Sequence, residues 1–132
     1  MIYSKKQIEL LCGALRGNVE ARRTLFNTNR ELVALEGAIM DDVKSTEWLI
    51  KNCLILAVFC DVINGNKKAV RVLIAKNEPG LAAAANFLKG DQKAELWLRK
   101  HDLEHYIDLA ESITYAQEHR KKNGGNVFSP FG

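Results

Sequence analysis

Proline is scarce in this sequence, with only Pro79 and Pro130 among 132 residues. The apolar share of 47% and charged share of 27% lie near those of folded proteins, so neither wholesale disorder nor a fibrous class is indicated. Cysteine is scarce too. Cys12, Cys53 and Cys60 show no CxxC spacing, and an odd count does not suit a secreted disulfide framework. Free thiols in a reducing cytoplasm are expected. The longest apolar run, Cys53 to Cys60, is ended by Asp61 and falls far short of the ~20 residues that span a bilayer. No apolar stretch follows the charges of Met1-Ile2-Tyr3-Ser4-Lys5-Lys6, so a signal peptide is not expected. A glycine-rich phosphate loop is missing as well, because Gly124-Gly125 neither follows a strand nor opens a helix.

The chain is long enough for one domain with a real core and too short for two ordinary ones. Its net charge of +3 is too small to indicate nucleic-acid or membrane binding by itself. The charge is unevenly spread, however: residues 1–30 carry +4, 31–64 carry −4, 65–100 carry +5 and 101–132 carry −2.

The strongest positive signal is a repeat. Gly17, Asp41, Gly65 and Gly90 stand 24, 24 and 25 residues apart, and the columns that follow them agree. One step on come Asn18, Asp42, Asn66 and Asp91, all suited to cap a helix N-terminus. Four steps on come the small residues Ala21, Ser45, Ala69 and Ala94, and eight steps on Leu25, Leu49, Leu73 and Leu98. A small residue followed by leucine at i+4 makes one buried stripe on a helix. The intervening segments repeat too, as Ile8, Leu32, Leu56, Leu81 and then Leu11, Leu35, Phe59, Ala84, at helical spacing that excludes strand alternation.

This pattern predicts an all-α fold of about nine helices in ~24-residue repeats, stacked as a right-handed α-solenoid of helical hairpins. "A" helices are expected near residues 5–16, 30–40, 54–64, 80–89 and 103–119, and "B" helices near 19–27, 43–51, 67–76 and 92–100. Ser4 with Gln7 forms a capping box for the first, and Asp102 is expected to cap the last. The last helix carries Glu104, Asp108, Glu111 and Glu118, as expected of a polar terminal cap. The repeat domain is assigned to residues 1–119, and residues 120–132 to a flexible tail.

Leu15-Arg16-Gly17-Asn18-Val19-Glu20-Ala21 and Ile63-Asn64-Gly65-Asn66-Lys67-Lys68-Ala69 resemble the helix-turn-helix of ankyrin repeats, a likeness that covers residues 8–113 in pattern. The 33-residue ankyrin unit has a β-turn finger and a Thr-Pro-Leu-His type motif, and neither is present here. The unit is therefore also similar to a short HEAT-like repeat. Both resemblances imply a binding scaffold.

No catalytic set assembles from the residues. His101 and His105 flank Asp102 at a helix junction, so their rings need not share a face, and no HExxH arrangement accompanies them. His101 is instead expected to assist the carbonyls that end its helix. No metal or other cofactor is expected. Cys12 and Cys60 share a repeat column with Glu36 and Ala85, a column expected to be partly exposed, with incidental thiols. Glu31, Glu36 and Glu47 show no evident partners in the sequence. Trp48 and Trp97 share a column beside the leucine stripe and are read as wedges between repeats. The run Ala82 to Ala85 allows either close helix approach or a shallow groove, which Val127, Phe128 and Phe131 are candidates to fill in cis or in a second copy.

The reading that follows is a cytoplasmic, non-catalytic scaffold for a protein or peptide, with no membrane partner. The candidate partner-binding residues are Arg22, Arg23, Lys67, Lys68, Arg71 and Lys93. The alternatives are nucleic-acid binding along basic helix ridges, which the acidic block from Glu31 to Asp61 would interrupt, and an unrecognised enzyme.

Overall fold

A computed structural model describes residues 3–121; of the expected tail, residues 120–132, Arg120 and Lys121 belong instead to a helical turn, and the residues from 122 onward lie outside the described residues. The described chain is all helical, without strands. The helices are α1 (Lys5–Leu15), α2 (Val19–Thr28), α3 (Arg30–Ile39), α4 (Val43–Asn52), α5 (Leu54–Ile63), α6 (Val70–Ala75), α7 (Pro79–Leu88), α8 (Gln92–Lys100) and α9 (Glu104–Tyr115). A 3-10 turn, Lys67–Ala69, leads into α6, and a π-helical turn, Ala116–Lys121, extends α9. No helix among the described residues is long and apolar enough to cross a membrane.

The turns explain the repeat columns. Gly17, Asp41, Gly65 and Gly90 all take the left-handed backbone, with φ of 95°, 66°, 114° and 99°. At each, this residue and the next donate their amides back into the last turn of the preceding A helix, as in Gly17 N to Ala14 O at 3.0 Å and Asn18 N to Gly13 O at 2.9 Å. Such a closure satisfies carbonyls that a helix end otherwise leaves open. The next column then caps the B helix: Asn18 accepts from the Ala21 amide, Asp42 from Ser45 and Asp91 from Lys93. Asn66 is the exception, because its amide group donates to Asp61 Oδ2 at 2.6 Å. Lacking that cap, the third unit starts as a 3-10 turn and α6 is only 6 residues long. Asp102 does not cap α9 either; it occupies a left-handed position at φ 58°, and Leu103 precedes the helix.

The B helices bury only the small-residue and leucine columns. These are Ala21 and Leu25 in α2, Ser45 and Leu49 in α4, Ala69 and Leu73 around α6, and Ala94 and Leu98 in α8. Removing one of these buried leucine side chains to Ala typically costs ~2–5 kcal/mol. Trp48 and Trp97 are partly buried against the same core. Gly37 lets α4 approach α3 closely, since a Cβ there would stand 2.8 Å from Ser45 Cβ.

The A helices hold most of the core. In order, α1, α3, α5, α7 and α9 each pack against the next, and α9 packs back onto α1 through the most extensive helix pair in the molecule. The five A helices therefore close into a ring, with the B helices outside it. Helix α9 is not a polar terminal cap. It buries His105, Tyr106, Ile107, Leu109, Ala110, Ser112 and Ile113, while Glu104, Asp108 and Glu111 stay exposed on its outer side. Ala82 to Ala85 are all buried in α7, which packs on α5, α6, α8 and α9. The alanine run thus serves close helix approach and leaves no groove of its own.

Candidate functional site

Of the A helices, α5 has the largest excess of apolar residues over buried positions, nine against five. Its sequence, Leu54-Ile55-Leu56-Ala57-Val58-Phe59-Cys60-Asp61-Val62-Ile63, is hydrophobic nearly all round. A helix of that composition is normally buried on every side. Here Leu56, Phe59, Cys60, Val62 and Ile63 face the core. Leu54 is 63% exposed, and Ile55, Ala57 and Val58 are only partly covered. Neighbouring helices extend the same surface, with Ile50 of α4 at 58% and Val72 of α6 at 42% exposure.

Two clefts share Leu54 and Val58 as their common wall. One, of about 210 Å³, lies between α5 and α6 and is lined by Leu54, Ile55, Val58, Val72, Lys76 and Glu78. The other, of about 300 Å³, runs along α4 and α5 from Leu54, Ile50 and Ala57 to Ala38, Asp61 and Asn64 at its far end. Pockets for small molecules generally span roughly 300–1,000 Å³. These two slots are sized for single large side chains. The far end carries one carboxylate, Asp61, which accepts from the Asn66 side-chain amide at 2.6 Å.

A second polar feature sits where α1, α3 and α9 meet. Glu36 has 1% exposure and receives Arg22 at two points, Nε at 2.9 Å and an NH2 nitrogen at 2.6 Å. From the π-helical turn, Arg120 donates to the same carboxylate at 2.9 Å and to the Ala14 and Leu15 carbonyls at 3.2 and 3.1 Å. Beside it, Arg16 donates to Ser112 Oγ at 3.0 Å, and Lys121 pairs with Asp41 at 2.8 Å. The carboxylate is saturated by arginines from both sides, an arrangement that joins the ends of α1, α3 and α9 and leaves no open position for chemistry. At the opposite ends of the A helices, Tyr3 donates to Glu31 Oε2 at 2.6 Å and Cys53 to the same oxygen at 3.4 Å. Burial, with the bond to Glu31, raises the Tyr3 pKa well above that of an ordinary tyrosine.

The repeat column of Cys12, Glu36, Cys60 and Ala85 is buried, against the expectation of partial exposure. Burial pushes the Cys12 thiol up to about 11 and the Cys60 thiol up to about 12, and raises Cys53 as well. All three are free and, near neutral pH, protonated, so none is an activated nucleophile. His101 stacks on the Trp97 ring at 4.1 Å, with Nδ1 donating to the Trp97 carbonyl at 2.8 Å. His105 lies buried beside Tyr106, and its pKa is lowered by burial and by Lys5. Among the described residues no three His, Cys, Asp or Glu side chains are grouped to hold a metal ion.

The structure distributes the sequence-derived site residues over three outer segments. Arg22 is drawn inward onto Glu36, while Arg23 remains exposed and pairs with Glu20 at 2.8 Å. Lys67, Lys68 and Arg71 are exposed on the 3-10 turn and α6, and Lys93 is exposed at the start of α8. The groove residues Ile50, Leu54, Val58 and Val72 were not among the candidates. For Leu54 and Val58 the signal was the apolar run from Cys53 to Cys60, which is longer than one buried helix face needs; Ile50 and Val72 carried none.

Comparisons of the chain with protein-family models, with curated protein sequences and with solved structures gave no match.

Proposed function

We propose that this chain is a non-catalytic peptide-binding scaffold, a short ankyrin- or HEAT-like helical repeat wound tightly enough for its last A helix to meet its first. Its occupant is a short protein segment with large apolar side chains flanked by lysine or arginine. A reducing, cytoplasmic setting suits its three free thiols.

The observation that carries this reading is the contiguous exposure of Ile50, Leu54 and Val72 around α5. Covering such side chains removes apolar surface from water, at roughly 25 cal/mol per Å². Surfaces of this kind on soluble proteins mark contact sites. The two slots fit side chains, and the exposed carboxylate of Asp61 at one end favours a basic flank on the occupant.

Selection from a displayed random-peptide library tests it directly. The expected result is sequences with two or more large apolar residues beside a basic one, whose binding is lost in Leu54→Asp. A selection that returns nothing, or peptides indifferent to Leu54→Asp, overturns the reading. Retention on heparin that falls steeply with salt and disappears on charge reversal of Lys67, Lys68 and Arg71 would replace it with nucleic-acid binding.

A further inference from the structure

In each repeat the residues three, six and nine steps beyond the left-handed turn position line up along one side of the B helix. In α4, α6 and α8 all of them are exposed, on the side away from the buried small-residue and leucine stripe. Their charge differs from unit to unit. Glu20, Arg23 and Phe26 of the first sum to zero, as do Lys44, Glu47 and Ile50 of the second. Lys68, Arg71 and Ile74 of the third sum to +2, and so do Lys93, Leu96 and Arg99 of the fourth.

Exposed Lys67 and Lys100 add to this cationic half. Arg99 pairs with Glu95 at 2.8 Å, whereas Lys67, Lys68, Arg71, Lys93 and Lys100 form no ion pair with another described residue. Among them stand two large apolar side chains, Ile74 at 58% exposure and Leu96 at 68%. The chain's total of +3 conceals the face, since the +5 of residues 65–100 is offset by the −4 of residues 31–64.

Unpaired cations interleaved with exposed aliphatic side chains suit a partner that is anionic at its boundary and apolar beneath. A nucleic acid would satisfy the cations alone, and no aromatic side chain stands at these positions in the third or fourth unit to stack on its bases. A peptide needs a groove, and the B helices lie on the outer side of the ring. An anionic bilayer meets both demands, because its headgroups take the cations while short apolar side chains reach the acyl boundary.

We propose that the outer face of α6 and α8 docks the chain reversibly on an anionic bilayer, with Lys68, Arg71 and Lys93 among the headgroups and Ile74 and Leu96 at the acyl boundary. The expectation of no membrane partner rested on total charge and on the lack of a spanning segment, and surface docking needs neither. This face is separate from the α5 groove and does not depend on its reading. Each cation held at such a surface strengthens binding about fivefold.

Sedimentation of the full chain with phosphatidylcholine vesicles, with and without about one-third phosphatidylserine, tests the proposal. Binding should require the anionic lipid and weaken as salt rises. Lys68→Gln/Lys93→Gln should lower the affinity about 25-fold. Ile74→Ser/Leu96→Ser should lower it about tenfold. All four positions are exposed, so both variants should keep the circular dichroism of the parent chain. Leu54→Asp should sediment as the parent does, which separates this face from the groove. Equal sedimentation with the two kinds of vesicle, or parental affinity in the lysine variant, overturns the proposal. Parental affinity in the Ile74→Ser/Leu96→Ser variant, or tighter binding of the parent to duplex DNA than to anionic vesicles, overturns it in favour of a purely electrostatic, nucleic-acid face.

Discussion

At the junction of α1, α3 and α9, a carboxylate with almost no exposure is held by two arginines, whereas Leu54 of α5 and Ile50 of the neighbouring α4 stand more than half exposed. The two regions face different demands. The first must hold α9 on α1 in a single register, and apolar contacts alone tolerate sliding. A buried ion pair does not, because any other register leaves charge without a partner at a cost of several kcal/mol. The second region bears no such duty, since α5 already packs on α3, α6 and α7 through its inner face. Polar atoms are buried where the ring must join, and apolar atoms are exposed where packing is already complete without them.

The largest expected effect breaks the joint. Glu36→Ala leaves Arg22 and Arg120 facing one another without their shared carboxylate and should cost ~3–5 kcal/mol, read as a lower urea midpoint. An unchanged midpoint would mean that the pair does not hold the ring closed. Gly37→Ala comes next, at ~1–3 kcal/mol, because its Cβ must push α4 off α3. Ser45→Gly in the same chain should restore much of that loss; if it does not, the close approach is not the cause. On the open side, Leu54→Asp should change stability by no more than about 0.5 kcal/mol, because the side chain is already in water. A larger loss would show α5 to be a core element on both faces and would erase the contrast.

The smallest effect is one of pH. His105 has a folded-state pKa below its unfolded value of 6.5, owing first to burial and then to Lys5, while Glu9, Glu104 and Asp108 oppose the shift. Its contribution to stability is therefore present above pH 6.5 and is lost as pH falls through the depressed folded value. Hydrogen exchange in α9 and α1 should accelerate over that range while α5 stays unaffected, and His105→Asn should flatten the difference. Equal acceleration in α5 would show a global rather than a joint-specific effect.

Much of the helical framework was legible because its signals are local. A left-handed turn residue, a cap one step on, and a small residue and leucine one turn apart all act within ten residues of one another, so Gly17, Asn18, Ala21 and Leu25 announce the first B helix unaided. The Asn66 cap failed for a reason also local but competitive, since Asp61 takes its side chain first. What lay beyond reading was closure. Arg120 and Glu36 are 84 residues apart, and neither is unusual in its own repeat. Whether a row of hairpins stays open or returns to its start depends on small rotations summed over all the units, which no single column records. The groove was half legible: the surplus of apolar residues in α5 is plain in the sequence, but which of them face outward depends on how α4 and α6 sit beside it.

The docking of α9 on α1 also fixes how many modules this molecule can contain. A linear array accepts an extra copy at little cost, since each member touches only its neighbours. A circle does not: a sixth inner helix would force apart the Glu36 joint or be expelled from the circumference. Insertion of a further hairpin, which an open row would admit, is thereby strained in this ring.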